Sequence, residues 1–350
     1  MFSSIMHKSD SVKAMFSMQF LHKKRMPWTR TEKKFALAFY YSSPASYKLF
    51  KRNGFVLPAL STIRGWIGES RFFPGTDKKF AQQLKLKTES MERIEKQCVL
   101  AFDEVDLMAK LEYSKPYDFI EGFEDVGHLG RTKVVAKKAL VFMTRGLFSK
   151  WKLPFAYYLS GSGIKKEQLH VLIKYTIEEL QKCGLVVRAA VCDQATTNVA
   201  ALKLLGVTED KPYIDTYEQK IIFIYDAPHL FKNFRNNLLD GDYQVDVHGK
   251  KRLIKYNDIA RTYELDKMGK ARAMVKLTDA HISPNSFQKQ SCKLALQVFS
   301  HTVSAAIKTC TETGQLKSES AIDTANFISL MNNTFDNLNS KIKYDKNPYI

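Results

Sequence analysis

From residue 95 to residue 226, apolar runs too short to be helices alternate with longer stretches of helical spacing, and this alternation restricts the chain to an α/β sheet. "CVLAFDEV" (98–105), "ALVFMTR" (139–145) and "LPFAYYLS" (153–160) each read as a buried strand, the last two joined by Gly146 and the turn-like "SKWK". "KEQLHVLIKYTIEELQKCG" (166–184) places Leu169, Leu172, Ile173, Ile177 and Leu180 on one helical face and stops at Gly184. "LVVRAAVCD" (185–193) reads as a strand, "TTNVAALKLLG" (196–206) as a short helix and "IIFIYD" (221–226) as a last strand. The order is β-β-β-α-β-α-β.

That succession is the one of a ribonuclease-H-like mixed sheet. Asp103 then lies in the first strand and Asp193 at the end of the fourth, and these two strands are neighbours in such a sheet, so their carboxylates can converge. Carboxylates at close range repel unless a cation sits between them. Hard oxygen donors select Mg²⁺ or Mn²⁺. Such ions in pairs about 3.5–4 Å apart activate a nucleophile and stabilise a leaving oxygen in phosphodiester chemistry. The plainer alternatives are a turn-capping carboxylate at Asp103, with Glu104 and Asp106 on the surface, and a helix N-cap at Asp193 in "DQATTN".

Around this core lie three further regions. Residues 1–25 show no clear pattern and are expected to be disordered or a remnant. Residues 26–90 read as short basic helices, with Ser43 and Pro44 opening one and Ser61 or Thr62 capping another that carries Ile63, Trp66 and Ile67. This suits a helix-turn-helix DNA-binding module or a helical subdomain that only packs on its neighbour. Residues 227–350 look mainly helical. The formal net charge of +18 favours an anionic partner, nucleic acid first. Five cysteines without a CxxC pair suggest neither a zinc finger nor a disulfide framework, and fit a reducing compartment. The first residues lack the apolar core of a signal peptide, and no run reaches the roughly 18 apolar residues of a membrane span. "HKKR" (22–25) reads either as a nuclear address or as solvated surface.

"AFDEV", "VVRAAVCDQATTNVAALKLLGV", "YDAPHLFKNFRNNLL", "VKLTDAHI" and "FDNLNS" occur in the order seen in P-element-type transposases, including the transposase-like THAP-domain proteins. "WTRTEKKFALAFYYSSPASYKLFKRNGFVLPALSTIRGWI" resembles the helical segment ahead of their catalytic domain. The resemblance covers roughly residues 27 to 340. It implies a ribonuclease-H-like DDE transposase fold (first part 95–226), interrupted after the fifth strand by a helical GTP-binding insertion (227–315), with a catalytic helix returning at 316–350. It also implies metal-dependent DNA cleavage and strand transfer, GTP as a cofactor for assembly, a homo-oligomer acting on transposon ends and target DNA, and a nuclear location. Asp103 and Asp193 match the first two catalytic acids. The third is a Glu in the family pattern Thr-Ala-Glu-Phe, where this chain reads "TANF" with Asn326 in the Glu position. Glu319 and Asp323 share that helical face and are the candidates to replace it. Asp323 also resembles the position that reads the guanine base. No Cys precedes Cys98, so the zinc-coordinating THAP finger is absent from this sequence. The expectation is a truncated or degenerate copy, and the competing one a catalytically inactive, domesticated DNA- or GTP-binding protein.

No GxxxxGK[ST] loop occurs, so a nucleotide would need other donors. Lys232, Arg235 and Asn236 share one face of a helix, with Leu230, Phe234 and Leu238 expected to pack inward on the opposite stripe. Lys276, Asp279 and His281 of "KLTDAHI" are further candidates for base or phosphate contacts. Solvated surface is the alternative for each. At the junction "YDAPH", Asp226 is expected to cap the helix that follows, with His229 beside it.

Overall fold

The structure, a computed structural model, describes residues 7, 9–68, 72–115, 117–216, 219–247, 249–269 and 271–339. It divides into two compact units, 1–73 and 74–350. In the first, α1 (Asp10–Phe16) runs into a π-helical turn (Ser17–Leu21) and is followed by α2 (Arg30–Ser42), α3 (Pro44–Arg52) and α4 (Leu60–Gly68). Met18, Ala36, Tyr47, Leu57 and Ile63 form its small core. The region read as patternless thus contributes a helix whose buried apolar residues, Ala14 and Met18, are too few to show a period. A capping box opens α2: Glu32 N–H donates to Thr29 Oγ1 and Thr29 N–H to Glu32 Oε2. Ser43 caps α3 with Pro44 at its first position. α4 begins at Leu60, so Ser61 and Thr62 lie within its first turn.

The second unit is built on a sheet of nine strands among the described residues. In chain order come β1 (Gly75–Thr76), α5 (Lys78–Glu89), β2 (Gln97–Asp106), β3 (Glu112–Ser114), β4 (Phe119–Glu121), β5 (Phe123–Asp125), β6 (Arg131–Val135), β7 (Lys138–Gly146), β8 (Lys152–Ser160), α6 (Lys166–Lys182), β9 (Val186–Cys192), α7 (Thr196–Leu204), β10 (Tyr213–Asp215) and β11 (Lys220–Tyr225). The sheet order is β10-β11-β9-β2-β7-β8-β5-β6, with β1 added on β8 and β3–β4 a separate ribbon. β2, β9 and β11 run parallel, and the remaining pairs are antiparallel. The seven long elements of the sequence reading are all present. The short strands β3 to β6 were not foreseen, because three to five residues are too few to display a period.

Strand alternation sorts the side chains onto two faces. Cys98, Leu100 and Phe102 of β2 point into a core with Leu172, Ile173 and Leu180 of α6. Helix α5, read from sequence as part of the N-terminal helical module, joins this core through Leu84, and Thr88 Oγ1 donates to the Cys183 carbonyl. The opposite face is open: Val105, Met143, Ile222 and Ile224 are 40–48% exposed.

After β11 the chain builds a second core. Its elements are α8 (Ala227–Asp240), the hairpin β12 (Tyr243–Val247) and β13 (Lys250–Ile254), α9 (Tyr256–Met268), α10 (Asp279–Ile282), α11 (Cys292–Val298), α12 (His301–Glu312) and α13 (Ala321–Leu338). Phe231, Ile259, Val303, Ile307, Ala325 and Ile328 meet there. The hairpin departs from the mainly helical reading. Its signal was the alternation Tyr243, Val245, Val247 before Gly249, which turns at φ +76°. α13 also departs from the reading, since it does not return to the sheet. Ala321, Ala325 and Ile328 are buried in the second core, so the insertion runs through α13 rather than ending at 315.

Candidate active site

Strand register brings the candidate acids together. In the β2–β9 pair Ala101 lies opposite Val191, each two residues before its aspartate, Asp103 and Asp193. In the β9–β11 pair Tyr225 lies opposite Cys192, and Asp226 follows with its N–H donating to the Cys192 carbonyl at 2.8 Å. Three carboxylates therefore gather at the carboxyl ends of three adjacent parallel strands, where open α/β sheets carry their sites. Asp103, Asp193, Asp226, His229, Val105 and Met143 line one open pocket of about 400 Å³.

Each acid is held differently. Asp193 Oδ1 accepts from Ala195 N at 3.0 Å and from Asn198 Nδ2 at 2.6 Å. Asp226 caps α8, accepting from His229 N at 3.3 Å, and lies 2.6 Å from His229 Nδ1. Asp103 Oδ1 accepts from Glu104 N at 2.8 Å. The Glu104 side chain turns elsewhere, accepting from Ile164 N at 2.7 Å. Burial, then the Asp193 carboxylate, push the Asp103 carboxyl above its ordinary range; Asp226 adds to this, while the Glu104 N–H and His229 oppose it. Burial, with Asp193 and Asp103 nearby, raises the Cys192 thiol to about 12 and keeps it neutral. A divalent cation fits this donor set, because it would relieve the crowding that Asp103 bears. Among the described residues no group of three or more His, Cys, Asp or Glu is gathered closely enough to hold a metal by itself, so the aspartates offer a partial shell.

Glu319, Asp323 and Asn326 do not line this pocket. Asp323 pairs with Arg252 of β13 at 3.1 Å, while Glu319 and Asn326 are exposed around the start of α13. The packing of α13 in the second core leaves these three residues off that pocket. Thr324 beside them donates to the buried Asp258, which also accepts from Ser318 and Ser320 at 2.6–2.8 Å. That network, absent from the sequence reading, ties the start of α13 to α9. The reading settled on Asp226 as a cap; its place at the end of a strand, like Asp193, also puts it on the pocket.

In the second core the inward stripe of α8 keeps the expected Leu238 but is shifted by one residue at its other two positions. Phe231, Arg235 and Leu238 are buried, whereas Phe234 is exposed. A hydrophobicity pattern treats Arg as a surface residue, which shifted the stripe. Arg235 Nη2 donates to the Lys289 carbonyl at 3.0 Å, Asn236 Nδ2 to the same oxygen at 3.2 Å, and Lys232 Nζ lies 3.5 Å from Gln290 Oε1. The three clamp the turn 288–290, leaving Arg235 Nη1 buried and without a partner. Lys276 is exposed. Asp279 accepts from Lys267 at 2.7 Å and Tyr263 at 2.9 Å, which lower its carboxyl. His281 is a core histidine: Nδ1 accepts from Thr278 N and Nε2 donates to Gln297 Oε1. These candidates therefore do not converge on one pocket.

A ribonuclease-H-like sheet with carboxylates at its parallel strand ends, followed by a separate helical core, defines the class of this molecule. Comparison with known proteins gives the family. Residues 72–206 match "TNP-like, RNase H N-terminal domain" and residues 228–349 match "TNP-like, GTP-binding insertion domain". Two relatives are the Transposable element P transposase of Drosophila melanogaster, 28% identical over 88% of this chain and 38% of the relative, and the DNA transposase THAP9 of Homo sapiens, 24% identical over 90% of this chain and 35% of the relative. In the solved Drosophila P element transposase strand transfer complex, one chain superposes with a TM-score of 0.78 at 26% identity, covering 97% of this chain and 72% of that one. The chain belongs to the P-element-type transposase family and spans a little over a third of the length of these two relatives.

Proposed function

We propose that this chain carries the ribonuclease-H-like and GTP-binding parts of a P-element-like DNA transposase, which cuts DNA and joins its ends to a target with GTP as an assembly cofactor. The observation that carries the reading is the meeting of Asp103 and Asp193, with Asp226 beside them, in one open pocket at the strand ends. Asp103 and Asp193 would hold Mg²⁺ or Mn²⁺, which supplies Lewis-acid charge to the phosphodiester. Asn198 and the Ala195 N–H keep Asp193 aimed at the pocket, and His229 holds Asp226.

On the nucleotide side, Lys232 and the unpartnered Nη1 of Arg235 are the proposed phosphate donors. A buried guanidinium without a carboxylate partner is costly, and an anion would compensate it. The exposed Lys23, Lys24, Arg30, Lys34 and Arg64 of the N-terminal unit support contact with DNA backbone. Self-association and a nuclear location complete the reading. Among the described residues no helix is long and apolar enough to cross a membrane.

The test is nicking and strand transfer on supercoiled plasmid with Mn²⁺, comparing wild type with Asp103→Asn and Asp193→Asn. Activity in wild type alone is expected. Equal residual activity in all three would overturn the enzyme reading in favour of an inactive DNA- or GTP-binding protein. Titration with a fluorescent GTP analogue should show binding that Lys232→Ala weakens; absence of binding to wild type removes the nucleotide part.

A further inference from the structure

The pairing of β2 changes where the strand carries its acid. Its ladder with β9 runs from Gln97 to Ala101, and from Phe102 to Asp106 the strand is laddered to β7 alone. Asp103 therefore sits on a strand end with one neighbour, whereas Asp193 is held directly by Asn198 and the Ala195 N–H. The next residue, Glu104, points to the other face of the sheet, because side chains alternate. There its Oε1 accepts from Ile164 N at 2.7 Å, and Lys138 Nζ lies 3.6 Å from Oε2. Ile164 is buried in the core of the sheet. The turn before it is built around this carboxylate. Gly163 has φ +101°, and a Cβ there would come within 3.2 Å of Glu104 Oε2. At the start of the turn, Gly161 N donates to Glu124 Oε2 at 2.9 Å. The "GSG" turn is thus fastened at both ends, by Glu124 of β5 and by Glu104 of β2.

A hydrogen bond to a charged acceptor is of the stronger kind. This one ties the end of β2 to the wall of the core, across 60 residues of chain. Its effect reaches the acid through the backbone. Glu104 N donates to Asp103 Oδ1 at 2.8 Å, so the peptide that the Glu104 side chain fixes also aims the Asp103 carboxylate. Glu104 itself does not line the pocket. We propose that Glu104 is a positioning residue for Asp103: its grip on the Ile164 N–H holds the end of β2, so that Asp103 stays against Asp193 with its carboxylate turned to the pocket. This rests on the proposed metal-binding role of Asp103 and Asp193, and adds the residue that keeps the first acid in place.

The test uses the full chain and separates reach from charge. Glu104→Gln keeps an acceptor within reach of Ile164 N, whereas Glu104→Asp keeps the charge on a side chain one methylene shorter. Mn²⁺ affinity, read from free Mn²⁺ by electron paramagnetic resonance, should fall by about tenfold or more in Glu104→Asp and stay near the wild-type value in Glu104→Gln. Glu124→Ala loosens the other end of the same turn and should leave Mn²⁺ affinity unchanged. A second measurement needs no metal. Asp103→Asn relieves the crowding with Asp193, and the melting temperature it gains should shrink in a Glu104→Asp background, because a released strand end lets the two carboxylates part. If Glu104→Asp does not fold, Gly163→Ala, which crowds the same carboxylate, replaces it in both measurements. Wild-type affinity in the folded variant overturns the inference. So does an equal loss in Glu104→Gln or Glu124→Ala, or an undiminished gain from Asp103→Asn. No Mn²⁺ binding by wild type, or binding that Asp103→Asn leaves intact, overturns the metal site itself and the inference with it. Failure of Glu104 alone leaves the Asp103→Asn loss of Mn²⁺ binding standing, so the two failures are distinguishable.

Discussion

Two carboxylates show how environment decides what the same group does. Burial raises Glu32, but the Thr29 N–H, the Ser17 and Thr29 hydroxyls and His22 outweigh it and hold its carboxyl below the ordinary range. Its contribution to stability is therefore present above the unfolded value near 4.5 and is lost as pH falls through the lower folded value. Glu32→Gln should cost about 1–2 kcal/mol at pH 7, with the difference from wild type closing in acid; thermal melts between pH 3 and 7 measure it. A difference that widened in acid would refute this account. Asp103 is the opposite case, crowded by burial and by Asp193. Asp103→Asn should melt higher than wild type without divalent ions and lose the rise that Mn²⁺ gives wild type. An equal Mn²⁺ response in both proteins would place the metal elsewhere. Asp103 and Asp193 were legible in the sequence because strand ends are legible. Asp226 was hidden because its capping role alone accounted for it.

At the scale of elements, α8 and α13 were the hardest to read, and polar groups in buried positions explain both. Arg235 occupies a core position of α8, where its guanidinium holds the turn 288–290. α13 is fixed by Asp258, which gathers Ser318, Ser320 and Thr324 from 60 to 66 residues away in the chain. No periodicity records such a network. Asp258→Ala leaves three hydroxyls without their acceptor and should cost on the order of 3 kcal/mol, with Asp258→Asn milder. Urea unfolding gives the magnitude, and hydrogen exchange should show α13 losing protection first. Full protection of α13 in the Ala variant would mean that apolar packing alone holds it.

Across the whole molecule, the sheet has one face closed by α5 and α6 and one face open. The alternation is sharp on β11, where Ile221 is fully buried and Ile222 is 48% exposed. Ile221→Ala should cost about 2–5 kcal/mol, and Ile222→Ala less than about 1 kcal/mol. Equal costs in chemical denaturation would mean that both faces are covered in solution. The open face also carries Asp103, so whatever covers Val105 and Met143 is brought beside the acids.

The sequence by itself determined the order of the long strands and helices and the two aspartates at strand ends, because run length and period are local properties. It also carried the family motifs and the basic charge. Tertiary structure decided the rest. Register set Asp226 beside Asp193, and burial turned Arg235 and Asp258 into internal anchors. Packing against α9, α12 and β13 kept α13, with Glu319, Asp323 and Asn326, inside the insertion. Which residues meet across long stretches of chain depends on which faces are buried together, and no local pattern contains that.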